Sequence, residues 1–481
     1  MDNIKNETLV FLNNILIPSL NCELNLSILW YNIHIEVENM KLYIPDSIGE
    51  IINRLNEHGY EGYIVGGSVR DLVLGKAPKD YDITTSAKPD DIERVFQDKK
   101  TFDVGRHFGT IVVVTDEGNV EVTTYRTDGE YEDGRRPKEV YYTPHIIEDL
   151  SRRDFTINAM AYNEKGLLDP FSGMKDLRKK YIRTVGDPYN RFEEDYLRIL
   201  RAVRFATQLG FQIDNKTKDA CKKYAININR ISYERIREEV FKILLSKTPS
   251  VGFRLMDELS ILEVIFPELA RTINFDQRNP HHNRNLFDHT LCVVDNTPPV
   301  LTVRMSALLH DIGKPTAFSI DEEGIGHYYN HDKIGAERSR NMLNRLKCSK
   351  EFIDEVTLFV REHMFYEGMK EKGIKRMLRR VGQDKIFDLM ELKKADMKCK
   401  NNKDESLIDD QIDEVRKILD SSEPFKKEHL AVDGHDIIRL GYKRGVLIGE
   451  ILDYLLERVV NNPKINNKED LIEITKEKYK I

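Results

Sequence analysis

Two aspartates, Asp80 and Asp82, lie two positions apart in the run KDYDI, shortly after a Gly-Gly pair. If residues 79–83 form a strand, its two-residue period places both carboxylates on one face. Carboxylate oxygens suit hard Mg²⁺ ions, which can bridge a triphosphate and an attacking hydroxyl in phosphoryl transfer. The pattern predicts a catalytic, Mg²⁺-binding pair, although an isolated Asp-x-Asp is more often a solvated loop.

The residues just before this pair predict an anion-binding turn. A strand ends at Val65, Gly66 and Gly67 form a turn without side chains, and Ser68 is placed to cap a helix that runs to Leu74. Such a turn directs free backbone N–H groups and the positive end of a helix towards a ligand. A phosphate-binding turn beside paired carboxylates is more specific than either feature alone.

Residues 65–83 resemble the first motif of the class II nucleotidyltransferase superfamily, which includes bacterial tRNA CCA-adding enzymes and poly(A) polymerases. That motif is GG, any residue, V, RD, two residues, LG, four residues and DxD. The sequence matches it at Gly66, Gly67, Val69, Arg70, Asp71, Leu74, Gly75, Asp80 and Asp82. The resemblance implies catalysis by the two final aspartates with two Mg²⁺ ions. It implies nucleotide binding by Gly66, Gly67, Arg70 and Asp71.

Two later stretches match further motifs of the same family. The run RRDFTINAMAY implies contacts to ribose and triphosphate, and the pattern ED, two residues, R, in a predicted helix over residues 193–211, implies a base-reading pair. The residues concerned are Arg152, Arg153, Asp154, Asn158, Asp195 and Arg198, with Arg201 and Arg204 bracing the template or phosphates. A carboxylate and a guanidinium can pair with the Watson–Crick edge of CTP or ATP. On spacing alone, a basic stripe of this kind is more often a solvated helix face than a site.

A third carboxylate, Glu121, is predicted on a hairpin. Residues 110–115 and 120–126 are β-rich and are joined by four turn-forming residues. Glu121 points away from Val120 and Val122, so it can reach the aspartate face as a third metal ligand. A surface glutamate is the alternative.

A second group of residues has the chemistry of a transition-metal or mixed binuclear centre, because it combines imidazoles with carboxylates. Its members are His289, His310, Asp311, His331, His363 and Asp396. The arrangement resembles the HD phosphohydrolase domain, most specifically at the run HDIG. The resemblance implies a metal-activated water that cleaves phosphoesters.

The pattern of elements predicts an α+β N-terminal nucleotidyltransferase head, with a small mixed sheet and helices, followed by mostly all-α domains in an elongated chain. The predicted divisions are an extension at 1–39, the head at 40–170, a helical neck at 171–280, an HD domain at 281–400 and a helical tRNA-binding tail at 401–481. The extension is either dispensable, with a mis-set start codon, or an added helix on the head.

Composition leaves a nucleic-acid partner open. The formal net charge of the 481 residues is −7, but screening limits each charged patch to about 8 Å at physiological salt, so local patches decide. The helix-like run KEKGIKRMLRRVG predicts either a basic face for RNA or a solvated face. The five cysteines lack CxxC spacing, which predicts no disulfide framework and fits a reducing cytoplasm, and no apolar run is long enough to span a bilayer.

Taken together, these features predict addition of C, C and A to the 3′ end of tRNA from CTP and ATP, with a second phosphohydrolase activity and no obligate protein partner. Residues 104–110 differ from the more basic segment of poly(A) polymerases, which favours CCA addition. The family resemblance ties the loop at 128–144 to the switch to adenosine addition, which argues against a relative that adds only the two cytidines. The alternatives are a poly(A) polymerase and an HD phosphohydrolase whose head only binds RNA.

Overall fold

A computed structural model describes residues 41–129, 139–278, 284–400, 406–421 and 424–480. The predicted extension at 1–39 and the middle of the loop at 128–144 lie outside these ranges. The chain forms two compact units. The first ends at Ser232 and includes Leu259–Ile261, and the second comprises Tyr233–Glu258 and the chain from Leu262 onward.

The first unit is built on a seven-stranded mixed sheet in the order β3-β4-β5-β2-β1-β8-β9. Its strands are β1 (Gly62–Val65), β2 (Asp82–Thr85), β3 (Thr101–Gly105), β4 (Thr110–Thr115), β5 (Gly118–Thr124), β8 (Ala161–Asn163) and β9 (Gly166–Leu168). Only the β2–β5 pair is parallel among the pairs of this sheet. The predicted hairpin is confirmed as β4 and β5, with the turn shortened to Asp116 and Glu117.

Helices cover this sheet and continue beyond it. They are α1 (Asp46–Glu57), α2 (Gly67–Val73), α3 (Pro89–Val95), α4 (Ile146–Ser151), α5 (Gly173–Lys179), α6 (Pro188–Glu194), α7 (Leu197–Leu209) and α8 (Asn215–Tyr224). Two small pairs complete the unit, β6 (Arg126–Asp128) with β7 (Val140–Tyr142) and β10 (Tyr181–Ile182) with β11 (Gln212–Ile213). A mixed-sheet head followed by mostly helical chain confirms the predicted fold class.

The local sequence explains why these elements form. The helix α1 buries Ile48, Ile51, Ile52 and Leu55, which recur at the spacing of one helical face. All four residues of β1 are buried, as expected for a central strand. Burying each of these aliphatic side chains contributes about 1.5–3 kcal/mol. This packing holds β1 in place, and the candidate site begins at the end of that strand.

Among its described residues, the second unit is helical apart from one short hairpin, β12 (Phe318–Ile320) and β13 (Gly326–Tyr328). Its helices are α9 (Tyr233–Leu244), α10 (Pro249–Glu258), α11 (Leu262–Ile265), α12 (Pro267–Ala270), α13 (Leu286–Asn296), α14 (Leu301–Leu309), α15 (Lys314–Ala317), α16 (His331–Arg345), α17 (Lys350–Glu362), α18 (Glu371–Val381), α19 (Ile386–Lys398), α20 (Ser406–Asp420), α21 (Gly434–Arg439), α22 (Val446–Asn461) and α23 (Lys468–Lys478). Within the described ranges, no helix is both long and apolar enough to cross a membrane.

The predicted basic RNA face on α18 is not free. Four of its cations pair with carboxylates of the same unit, and the Lys375 side chain is fully buried. The pairs are Lys375–Glu371, Arg376–Glu457, Arg379–Asp453 and Arg380–Glu362. Two of these pairs reach acids on α22, so part of this face joins helices, and RNA binding by α18 stays a prediction.

The cysteine spacing predicted no disulfide framework, and the structure contains one disulfide among the described residues. Cys292 on α13 and Cys399 after α19 are paired, with Cα atoms 6.0 Å apart. The two residues are 107 positions apart in sequence, so no local spacing could indicate the pair.

Candidate functional site

Asp82 is the first residue of β2, which lies between β1 and β5 in the sheet. In the strand register it is opposite Val65 on one side and Glu121 on the other. Cross-strand neighbours project from the same face of a sheet, so Asp82 and Glu121 share a face beside Gly66. The structure therefore places Glu121 next to the aspartate, and its role as a metal ligand stays a prediction.

The predicted strand over residues 79–83 is wrong at its start, because β2 begins at Asp82. Asp80 lies in a bend before the strand, so the turn and not a strand period sets its position. Its negative charge nevertheless raises the pKa of both Asp82 and Glu121. The three carboxylates thus form one electrostatic group.

The pKa shifts in this group have a common cause. Partial withdrawal from water raises the pKa of Asp82, Arg153 opposes that shift and Asp80 adds to it. Partial burial also raises the pKa of Glu121, together with the charges of both aspartates. Oxygen anions that repel one another form a donor set that a hard divalent cation would neutralise. These residues therefore fit a bound Mg²⁺.

The Gly-Gly turn has two physical reasons for glycine at position 66. Gly66 is the N-cap of α2 with φ at 75°, a conformation that side chains rarely adopt. A Cβ there would also lie 3.0 Å from Nη1 of Arg153. Ser68 does not cap the helix as predicted, because its hydroxyl donates back to the carbonyl of Val65 at 2.9 Å.

A buried carboxylate that the motif analysis missed, Asp149 on α4, orients the arginine pair. Arg152 donates to it at 2.8 and 3.0 Å, and Arg153 donates to its other oxygen at 3.3 Å. Burial alone would raise the pKa of Asp149, but the two guanidinium groups hold it below its usual value. The sequence did carry a signal for these ion pairs, because Asp149 precedes Arg152 by three residues and Arg153 by four.

A chain of side-chain contacts joins the RRD segment to the turn and to α7. Asp154 accepts from Arg201 at 2.7 Å and from Asn158 at 3.1 Å, and Asn158 accepts from Arg70 at 2.8 Å. Arg70 also donates to Asp71 at 2.9 Å. Although burial opposes it, the charge of Arg201 lowers the pKa of Asp154 to about 2. Three separate sequence motifs therefore meet in one ionised network.

The predicted helix over residues 193–211 is interrupted, because α6 ends at Glu194 and α7 begins at Leu197. Asp195 lies between them in an extended conformation, and its carboxylate accepts from the backbone N–H of Leu197 at 3.1 Å. Such a local bond competes with the helical ladder. Beyond the break, Arg198 donates to the carbonyl of Arg152 at 3.1 Å, which links α7 to the RRD segment.

The second unit holds a buried group of imidazoles and carboxylates. Within the described residues, two trios have ligand atoms that all lie within 4.8 Å of one another, namely His289, His310 and Asp396, and Asp311, His331 and His363. Asp311 faces both trios, because one oxygen is 3.1 Å from Nε2 of His310 and the other is 3.4 Å from Nε2 of His331. The six predicted residues thus come together from five helices and their ends.

The same type of hydrogen bond, from the ring to the backbone, orients three of these histidines. The Nδ1 atoms of His310, His331 and His363 are 2.7–2.8 Å from backbone carbonyl oxygens of residues three positions earlier. Since a carbonyl oxygen only accepts, that bond places a proton on Nδ1, and the buried Nε2 atoms face Asp311 at 3.1–3.7 Å. Burial, opposed by Asp311, lowers the pKa of His363 to about 4, so this ring is neutral near pH 7. Inward lone pairs facing carboxylates fit a metal centre.

Two lysines that the motif analysis missed lie against these carboxylates. Lys314 is 2.7 Å from Asp311, and Lys400 is 2.5 Å from Asp396. Burial would raise the pKa of both aspartates, but the nearby histidines and lysines hold it well below its usual value. Each half of the centre therefore carries an ammonium group beside its carboxylate, buried for Lys314 and partly buried for Lys400.

Three family models match successive parts of the chain. Residues 62–183 match the poly A polymerase head domain, residues 210–273 match a "Probable RNA and SrmB- binding site of polymerase A", and residues 329–475 match tRNA nucleotidyltransferase domain 2. The first match contains the carboxylates, the Gly-Gly turn and the RRD segment. Together with the mixed-sheet head, the three matches indicate a nucleotidyltransferase of the class that includes poly(A) polymerases and tRNA nucleotidyltransferases.

Similar proteins narrow this class. The CCA-adding enzyme of Ligilactobacillus salivarius is 32% identical over 90% of this chain and 97% of that enzyme. The chain therefore belongs to the CCA-adding enzyme family. The CCA-adding enzyme of Geobacillus thermodenitrificans is 47% identical over 48% of this chain. That alignment covers 56% of the relative, so the matched part of this chain spans about half of the relative's length.

Solved structures share the fold. A Bacillus stearothermophilus CCA-adding enzyme in complex with CTP has a TM-score of 0.69 and 29% identity, and the match covers 90% of this chain and 98% of that one. A Thermotoga maritima CCA-adding enzyme complexed with tRNA has a TM-score of 0.52 and 21% identity, covering 91% and 97%. The second likeness shows the fold alone.

Proposed function

We propose that this protein adds C, C and A to the 3′ end of tRNA, using CTP and ATP. The observation that carries the proposal is the strand register that sets Asp82 and Glu121 beside the Gly66 turn. The complex of the similar Bacillus stearothermophilus CCA-adding enzyme with CTP supports CTP as a substrate. The tRNA 3′ oxygen forms a bond to the α-phosphorus of the nucleotide, and the bond to pyrophosphate breaks.

The head residues divide this task. Asp80 and Asp82, with Glu121, would hold Mg²⁺, which supplies charge neutralisation at the triphosphate and a lower pKa of the attacking hydroxyl. Arg152 and Arg153, held by Asp149, would donate to the phosphates, because guanidinium groups make paired, charge-assisted bonds to phosphate oxygens.

The remaining nucleotide contacts come from the RRD network and α7. Asp154 and Asn158 would contact the ribose and triphosphate, together with the turn at Gly66 and Gly67. Asp195 and Arg198 would read the base edge, because the first accepts from an exocyclic amino group and the second donates to ring nitrogen or carbonyl oxygen. The phosphates and the two base-reading residues would be kept aligned by four neighbouring side chains of this network, Arg70, Asp71, Arg201 and Arg204.

Outside the head, we propose the division that the sequence predicts. Residues 171–280 form the neck, 281–400 the HD domain and 401–481 a tail that contacts cytoplasmic tRNA. Because Arg376, Arg379 and Arg380 are engaged with carboxylates, RNA contacts by this part of the chain require other side chains or a rearrangement of those pairs.

An extension assay separates CCA addition from poly(A) addition. With tRNA ending at the discriminator base, we expect CTP alone to add two cytidines, and CTP with ATP to complete CCA and stop. Products are resolved at single-nucleotide length. Incorporation of ATP alone into a long tail, with none from CTP, would support a poly(A) polymerase and contradict the proposal.

A second, metal-dependent phosphohydrolase activity is favoured by one specific observation, the three inward Nε2 atoms in the second unit. The six residues His289, His310, Asp311, His331, His363 and Asp396 would hold a transition metal or a binuclear pair, which supplies Lewis acidity and a water of lowered pKa. Lys314 and Lys400 place positive charge beside it for a phosphate ester. Colorimetric hydrolysis of bis-p-nitrophenyl phosphate with added Mn²⁺ or Ni²⁺ tests this activity directly.

A further inference from the structure

The ring of Phe205 on α7 is in contact with three guanidinium groups. Their central carbons lie 4.1 Å from the ring centroid for Arg204, 5.2 Å for Arg70 and 5.4 Å for Arg201. The ring itself is almost fully buried. A buried aromatic ring is therefore shared by three cations of the nucleotide site.

These cations do not come from one local segment. Arg201 and Arg204 belong to the same helix as the ring, but Arg70 comes from α2, directly after the Gly-Gly turn. Arg70 continues to Asn158, and Arg201 continues to Asp154. The ring therefore lies where the turn, the RRD network and the base-reading helix converge.

The charge distribution of an aromatic ring suits a position among three guanidinium groups. Its faces carry partial negative charge, which attracts guanidinium groups within about 6 Å of the centroid. Arg70 and Arg201 are also paired with Asp71 and Asp154, and the ring adds an attraction that all three guanidinium groups share. The edge contact of Phe155, with centroids 5.8 Å apart and planes at 81°, fixes the orientation of the ring.

We propose that Phe205 is a positioning residue for nucleotide binding, because its ring holds Arg70, Arg201 and Arg204 in the arrangement that receives the triphosphate and template. This inference rests on the proposed nucleotidyl transfer. An aliphatic side chain at the position would fill space but would not attract the cations. The prediction is therefore a defect in nucleotide affinity and not merely in folding.

The test compares Phe205→Leu, which removes the ring, with Phe205→Tyr, which keeps it. In cytidine addition to tRNA, we expect Phe205→Leu to raise KM for CTP about tenfold, since each lost cation–π contact contributes modestly and three are lost together. We expect kcat within about twofold of the parent and Phe205→Tyr close to the parent in both constants. Phe205→Met repeats the comparison if the leucine variant does not fold.

The matched control is Phe192→Leu on α6, which also removes a fully buried ring of the same unit. We expect it to lower the melting temperature by a similar amount without changing KM for CTP. An unchanged KM in folded Phe205→Leu or Phe205→Met, or an equal rise in the tyrosine variant, would overturn the role of the ring. A parent enzyme that incorporates no cytidine would instead overturn the proposed function itself.

Discussion

Replacing Asp82 with asparagine is expected to lower kcat/KM for cytidine addition by about a thousandfold or more, which corresponds to about 4 kcal/mol of transition-state stabilisation. Asp82 is the carboxylate between Val65 and Glu121 in the register, and asparagine keeps its shape but removes the anionic oxygen that a divalent cation prefers. The measurement is single-turnover extension of tRNA with labelled CTP at saturating Mg²⁺.

Stability should move in the opposite direction to activity. The folded state raises the pKa of Asp82, so above that pKa the ionised carboxylate costs folding free energy. Asparagine removes this cost, and the melting temperature should therefore stay the same or rise slightly at pH 7. A loss of activity together with a clear fall in melting temperature would indicate misfolding and not loss of the catalytic group.

The matched control is Asp116→Asn, which changes an exposed aspartate in the β4–β5 turn of the same sheet. It should retain the activity of the parent. If Asp82→Asn still extended tRNA at the rate of this control, the proposed catalytic role would be wrong. Hydrolysis of the phosphodiester probe should persist in Asp82→Asn, since the histidine centre belongs to the other unit.

The sequence predicted the parts of the fold that short-range chemistry determines. The amphipathic pattern of α1 and the hairpin of β4 and β5 are both present, because apolar spacing and turn residues act over a few positions. The break at Asp195 was missed, since it depends on one carboxylate binding a nearby N–H and no Pro or Gly lies beside it in sequence. The shifted start of β2 at Asp82 likewise reflects pairing with β1 and β5.

The candidate site shows the same limit. Motif residues such as Arg152 and His310 could be identified one at a time, but their partners could not. Asp149, Phe205 and Lys400 look like ordinary helix residues in sequence, and their contacts with the motif residues follow from packing between separate segments. Sequence therefore predicted the types of group in each centre, whereas the groups that orient them required the fold.

Replacing Asp311 with asparagine is expected to reduce bound transition metal and probe hydrolysis by about a hundredfold or more while leaving CCA addition intact. Asp311 is the carboxylate that faces both histidine trios, so its loss affects both halves of the centre. It also leaves Lys314 without its buried partner, which costs about 3–5 kcal/mol of stability. Metal content of the purified protein is measured by mass spectrometry, beside both activities.

The matched control is Asp354→Asn, an exposed aspartate of the second unit that pairs with Arg340 at 2.8 Å. A surface pair contributes only about 0–1 kcal/mol, so this variant should keep its metal, its hydrolysis and its melting temperature. Comparing the two activities in one preparation of Asp311→Asn removes the effect of lowered stability, because general unfolding would reduce both. Undiminished metal content and hydrolysis in Asp311→Asn would show that the buried trios do not form the proposed hydrolytic centre.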